Sequence, residues 1–180
     1  MTARTVTILG STGSIGDSTL DLLRRSEPGK FTIQALTANR NSKKLAAQAS
    51  EVVAKFVAIA DVSAEADLRE ALSGHNIEVG VGPQAIIDAG ERPADFIMAA
   101  IIGAAGLPPT LAAAKQGTAI GLANKECLVT GGDVFMAAIK ANGTTLLPVD
   151  SEHNAIFQVL ERDKPEGVRR LILTASGGPF

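Results

Sequence analysis

The chain has 180 residues, of which 46% are hydrophobic and 20% charged, with a formal net charge of −2. That is enough apolar material for one well-packed domain or slightly more, and too little excess positive charge for a large phosphate-backbone footprint. Aromatics are only 3%, with no Trp and no Tyr, which argues against a stacking platform for single-stranded nucleic acid. The one cysteine, Cys127, leaves no intrachain disulfide and fits a reducing compartment. No basic-then-apolar leader precedes the first strand-like segment, and the longest apolar stretch, "FIMAAIIGAAGL", is short and broken by Gly. The expectation is a cytoplasmic protein that neither crosses a membrane nor binds nucleic acid.

Short β-branched runs alternate with Ala/Leu-rich segments. Strands are predicted at 5–10, 31–38, 56–60, 77–82, 95–101, 118–123, 144–150 and 168–178. Helices are predicted at 14–26, 41–55, 63–74, 83–90, 106–117, 125–143 and 151–163, with Gly74, Gly90, Gly117 and Gly143 as helix ends. Strand–helix alternation with connections of a few residues implies right-handed crossovers. The fold class is therefore α/β: a Rossmann-like, mostly parallel sheet with helices on both faces.

"VTILGSTGSIGDSTLDLL" places Gly10, Gly13 and Gly16 three apart between the first strand and the first helix. A nucleotide site needs one Gly for the tight turn, one where backbone approaches a pyrophosphate and one where the helix packs on its strand. Thr12 and Ser14 add hydroxyl donors beside the helix N-terminus. The bland alternative is a Gly-rich structural turn. An NAD site usually carries an acid at the end of the second strand, but "LTANRNS" has none there. It offers Asn39, Arg40, Asn41 and Ser42, followed by Lys43 and Lys44, and a guanidinium suits a 2′-phosphate. NADPH is therefore expected over NADH, the alternative being a solvated helix start with ordinary surface cations.

"GLANKECLV" puts Asn124, Lys125 and Glu126 beyond a strand's carboxyl end, where ligands of open α/β sheets bind. Read locally, Asn124 caps the next helix and Glu126 favours its positive end. Cys127 reads as a packing residue. "LLPVDSEHNAIFQ" holds Asp150 and Glu152 two apart at a strand end, on one face of extended backbone. The pair is either half of a hard-cation site for Mg²⁺ or Mn²⁺ or the capped start of a helix. His153 reads as a helix residue. "LILTASGGPF" closes with a Ser-Gly-Gly turn that offers Ser176 and backbone N–H groups to an anion, or is a plain turn.

Taken in order, "GSTGSIG", "MAAIIGAAGL", "LANKE", "LLPVDSEHNAIFQ" and "TASGGPF" resemble the 1-deoxy-D-xylulose 5-phosphate reductoisomerase family, from about Thr5 to Phe180. The "PVDSEHNAIFQ" string is the most specific of them. The resemblance implies an NADPH-dependent oxidoreductase of non-mevalonate isoprenoid biosynthesis, which isomerises its ketose phosphate with a divalent metal and reduces it to 2-C-methyl-D-erythritol 4-phosphate. It implies cofactor contacts at Thr12, Gly13, Ser14, Ile15, Asn39, Arg40, Asn41, Asn124 and Glu126. Metal ligands fall on Asp150 and Glu152, substrate contacts on Lys125, Ser151, Glu152 and Ser176, and catalytic roles on Lys125 and Glu152. The family often has Gly and Lys where this chain has Asn39 and Arg40, so the cation is kept.

The departure is length, since family members are roughly twice as long. The chain is expected to comprise the NADPH domain, 1–149, and the beginning of the catalytic domain, 150–180, lacking a third metal-ligating Glu. On that expectation it binds cofactor weakly and does not turn over alone, while the full-length form is a homodimer. Two other readings are a stand-alone NADP(H)-binding sensor and a semialdehyde-dehydrogenase-type enzyme; the latter needs a catalytic Cys.

Overall fold

The computed structural model describes residues 2–161 and 163–172. Seven strands form one sheet: β1 (Arg4–Leu9), β2 (Phe31–Ala38), β3 (Phe56–Ile59), β4 (Glu78–Val81), β5 (Phe96–Ala99), β6 (Ala119–Leu122) and β7 (Thr145–Pro148). Every pairing is parallel, and the order across the sheet is β4-β3-β2-β1-β5-β6-β7. The connecting helices are α1 (Ser14–Arg24), α2 (Ser42–Val52), α3 (Glu65–Ala71), α4 (Pro83–Glu91), α5 (Leu107–Ala114) and α6 (Glu126–Asn142), and α7 (Ser151–Val159) follows β7. The chain winds one way from β1 to β4, then crosses the sheet and winds the other way from β5 to β7. With crossovers of one hand, this puts α1–α3 and α4–α6 on opposite faces.

Both faces are apolar, as a covered parallel sheet requires. Alternate residues of a strand serve different cores. On β3, Val57 and Ile59 join Leu20, Leu45 and Leu68 on one side, while Phe56 and Ala58 join Ile86, Phe135 and Ile139 on the other.

The elements fall close to their predicted places, with three differences. Gly90 does not end α4; it lies inside the helix, where an added Cβ would stand 2.3 Å from the Pro109 carbonyl oxygen. Its smallness lets α4 and α5 close on each other. The helix predicted to 163 ends at Val159, with Leu160 extended (ψ 118°). No residue of α7 is buried, and short helices depend on such packing to extend. The strand predicted at 168–178 is not formed over 168–172, where Leu171 and Ile172 are 60% and 70% exposed. A strand needs a neighbour to satisfy its backbone, and among the described residues nothing pairs beyond β7. Residues 173–178 lie outside the described residues.

Strand order reverses between β1 and β5. Just past their ends Gly10 (φ +88°) presses on Ala100, and an added Cβ would stand 2.9 Å from the Ala100 carbonyl carbon and oxygen. Gly10→Ala combines a positive φ with this overlap, and is expected to cost about 2–4 kcal/mol, read as a lower urea midpoint at unchanged slope.

Candidate nucleotide cleft and acidic edge

The glycine turn spans residues 10–13, and the first helical bond of α1 runs from the Asp17 N–H to the Gly13 carbonyl at 2.9 Å. The three glycines serve different ends. Gly10 accommodates the backbone of Ala100, and Gly16 lies so near the turn that a Cβ would sit 2.4 Å from the Ser11 carbonyl oxygen. At Gly13 a Cβ would touch only the Gly10 oxygen, at an ordinary 3.5 Å. The fold itself does not demand Gly there; close approach by a ligand would. Gly13 is the N-cap of α1 and supplies no side-chain cap. Thr12 is half-buried, and Ser14 and Ile15 are exposed at the open end of the helix.

The turn is anchored from behind. Thr37, near the end of β2, accepts from the Gly10 N–H through Oγ1 (2.8 Å) and from the Ser11 N–H through its carbonyl (2.8 Å). From α2, Lys44 Nζ donates to the Thr12 carbonyl (2.9 Å) and pairs with Asp17, while Gln48 bonds Ser11 and Asp17. In the sequence Lys44 reads as one of several surface cations and Gln48 carries no mark of its own beyond being a Gln within the apolar run of an amphipathic helix.

At the end of β2, Asn39 and Arg40 are exposed. Asn41 is the N-cap of α2, its Oδ1 accepting from the Lys44 N–H at 3.1 Å. Arg40 makes no ion pair among the described residues. Asp61, whose N–H donates to the Asn39 carbonyl, is held below the usual carboxylate range chiefly by the Ser63 hydroxyl and N–H, with a smaller contribution from Arg40.

Asn124 is buried, and its side chain does not cap α6. Its Nδ2 donates to the carbonyls of Ile101 and Gly103, fastening the loop after β5, and its Oδ1 is buried without a partner. Both neighbours are acceptors, so the amide orientation is determined. Lys125 is the N-cap of α6 without a side-chain cap bond, and Glu126 stands in the first turn. Cys127 is fully buried, and burial pushes its thiol up. A shielded thiol of raised pKa is a poor nucleophile, which removes the support for the semialdehyde-dehydrogenase reading.

Asp150 and Glu152 do not share an extended strand face, because the helix starts between them. Asp150 (φ −61°, ψ 151°) is the N-cap of α7, and Ser151 and Glu152 form its first turn. Asp150 Oδ1 accepts from the His153 N–H at 3.0 Å and meets His153 Nδ1 at 2.7 Å. Desolvation raises its carboxyl, but the His153 bonds and charge and the charge of Lys125 together hold it below the ordinary range. Lys125 follows β6 and Asp150 follows β7, so the two stand beyond the carboxyl ends of neighbouring strands. Among the described residues no three acidic, His or Cys side chains converge as a metal cluster. Ser176 lies outside the described residues.

A cleft of about 580 Å³ opens at the switch between β1 and β5. Gly10, Thr12, Gly13 and Asn39 are among the residues lining one part, Pro83 and Ile86 another, and Ile101 and Pro108 a third. Ser14, Ile15, Arg40 and Asn41 are not among its lining residues; they occupy the adjoining α1 start and β2 end. Lys125 and Asp150 stand farther along the same strand-end edge. Among the described residues no helix is long and apolar enough to cross a membrane.

A doubly wound parallel sheet with its cleft at the switch point and a glycine turn opening α1 defines a Rossmann-type α/β protein. The family model for 1-deoxy-D-xylulose 5-phosphate reductoisomerase matches residues 6–132, and that for the family's C-terminal domain matches residues 146–180. The chain belongs to the 1-deoxy-D-xylulose 5-phosphate reductoisomerase family. It is 56% identical over 177 residues to the reductoisomerase of Nitrobacter hamburgensis, covering 98% of this chain and 43% of that protein. The reductoisomerase of Rhodospirillum centenum is 52% identical, with 98% and 44% covered. The chain therefore spans less than half the length of these relatives. Among solved structures, the Zymomonas mobilis reductoisomerase in complex with NADPH superimposes with a TM-score of 0.93 at 54% identity, over 98% of this chain and 46% of that one. A reductoisomerase in complex with NADPH, fosmidomycin and magnesium gives 0.84 at 41% identity, over 90% and 40%.

The Asp150 cap has a pH signature. Its depressed pKa contributes stability to α7 above the unfolded value of about 3.9, and that contribution is lost as pH falls through the lower folded value. The His153 amide protection factor, corrected for intrinsic exchange, is expected to follow this course. Asp150→Ala should abolish it at every pH and cost α7 about 1 kcal/mol, whereas Asp150→Asn keeps the cap and loses the acid dependence.

Proposed function

We propose that residues 1–149 bind NADPH and that residues 150–180 begin the catalytic domain of a 1-deoxy-D-xylulose 5-phosphate reductoisomerase. The whole enzyme would convert that sugar phosphate to 2-C-methyl-D-erythritol 4-phosphate, as a cytoplasmic homodimer. The observation that carries the reading is an adjacency: the dinucleotide-type turn after β1, Lys125 after β6 and Asp150 after β7 all lie beyond the carboxyl ends of strands in a single parallel sheet.

The residues present fit the cofactor. Gly13 leaves room for a pyrophosphate, and among the described residues the N–H groups of Thr12, Ser14 and Ile15 have no partner and the exposed Arg40 makes no ion pair. Thr12, Gly13, Ser14 and Ile15 would hold the pyrophosphate, and Asn39, Arg40 and Asn41 the 2′-phosphate side. Asn124 and Glu126 would stand on the cofactor's nicotinamide side, where Asn124 fastens the loop of Ile101 and Gly103 that borders the cleft. When bound, NADPH supplies the hydride for the reduction.

Asp150 and Glu152 would give two oxygen ligands to Mg²⁺ or Mn²⁺. The hard ion supplies Lewis-acid polarisation of substrate oxygens. Lys125 would bind and orient the substrate as a cation opposite the acidic pair, with Ser151, Glu152 and Ser176 completing its contacts.

Arg40→Ala should weaken NADPH about tenfold in a fluorescence titration, the value of one charge-assisted contact, while NADH affinity stays unchanged. An unchanged NADPH/NADH ratio would remove the 2′-phosphate assignment. The reaction is tested by joining the chain to the further length its relatives carry and following NADPH oxidation with the sugar phosphate and Mn²⁺. Binding of NADPH without that oxidation would leave a cofactor-binding module and refute the enzyme reading.

A further inference from the structure

Gln48 lies on α2 at 5% exposure and spends its amide on the glycine turn and the helix it opens. Nε2 faces two acceptors, the Ser11 carbonyl at 3.0 Å and Asp17 Oδ1 at 2.9 Å. Only the NH₂ end can serve both, so Oε1 receives the Ser11 hydroxyl at 2.9 Å. A buried amide is tolerated when such bonds are all made and costly when they are not.

What these bonds fix is a peptide plane. No cis peptide is present, and in a planar trans peptide the carbonyl and the following N–H point in opposite directions. Holding the Ser11 carbonyl against α2 turns the Thr12 N–H away from α2. Thr12 and Gly13 line the cleft, and the Thr12 N–H has no partner among the described residues. Lys44 holds the next carbonyl, that of Thr12, and shares Asp17 with Gln48. Helices α1 and α2 are thus cross-tied through the turn.

We infer that Gln48 is a positioning residue, which presets the Thr12 N–H as a donor to the pyrophosphate of the dinucleotide. The inference rests on the cofactor reading of the cleft. It separates two portions of the ligand: the pyrophosphate depends on Gln48, while the adenine and 2′-phosphate, received beyond β2, do not.

The test compares NADPH with adenosine 2′-monophosphate, which carries the 2′-phosphate but no pyrophosphate, on the wild-type chain and on Gln48→Met. The variant should bind NADPH about tenfold more weakly, as expected for a lost hydrogen bond to a charged group. Its affinity for adenosine 2′-monophosphate should stay within about twofold. Equal weakening of both ligands, or unchanged NADPH binding, overturns the inference. Ser11→Ala removes the hydroxyl, whose shorter bond is to Gln48 Oε1 (2.9 Å) and longer one to the Thr37 carbonyl (3.3 Å), and it stands in if Gln48→Met does not fold. A loss of about two- to threefold confined to NADPH supports the inference, and no loss overturns it. A wild-type chain that binds adenosine 2′-monophosphate but not NADPH also overturns it, and one that binds neither overturns the cofactor reading itself.

Discussion

Gly10 lies against Ala100 with no room between them for a single added carbon. The two residues follow the strands on either side of the sheet's reversal, and their approach sets the floor from which the cleft opens. Helices leave the sheet in opposite directions at this point, so nothing in the fold itself fills the space between them. The remaining features depend on that geometry. The turn at 10–13 can be short because Gly10 takes φ +88°, α1 can start at once because Gly16 tucks under the turn, and Gly13 stays open to what lies in front.

Polar groups around the turn divide into those that support it and those that face outward. Thr37, Lys44, Gln48 and Asp17 are occupied with backbone or with one another. Among the described residues, the Arg40 side chain and the N–H groups at the start of α1 are not. Asn124 belongs with the supports: its Nδ2 fastens the loop of Ile101 and Gly103, and its buried Oδ1 has no partner among the described residues. Asp150 caps α7 through Oδ1, and Lys125 stands at the start of α6, beyond the neighbouring strand β6. Capping and ligand binding do not exclude each other there, because a carboxylate has lone pairs for both.

Much of this was legible in the sequence. β-Branched runs marked the seven strands because a sheet covered on both faces selects them, and the spacing of Gly10, Gly13 and Gly16 marked the turn. What was not legible depends on contacts between distant segments. Gly90 read as a helix end because its real reason, the Pro109 carbonyl, lies on another helix. Lys44 and Gln48 read as ordinary helix residues because their partners lie about thirty positions away. Residues 168–172 carry the pattern of a strand, but pattern alone does not supply the neighbour that a strand must pair with.

The central claim is that the switch-point cleft receives NADPH with its pyrophosphate at the start of α1 and its 2′-phosphate at the end of β2. An amide-resolved NMR titration of the ¹⁵N-labelled chain with NADPH tests it most directly. The account predicts that the largest shifts fall on Thr12, Ser14 and Ile15, with a second group at Asn39, Arg40 and Asn41, and little change near Thr5 and Asp95 at the amino-terminal ends of β1 and β5. Shifts concentrated near Thr5 and Asp95, or none at saturating NADPH, would contradict it.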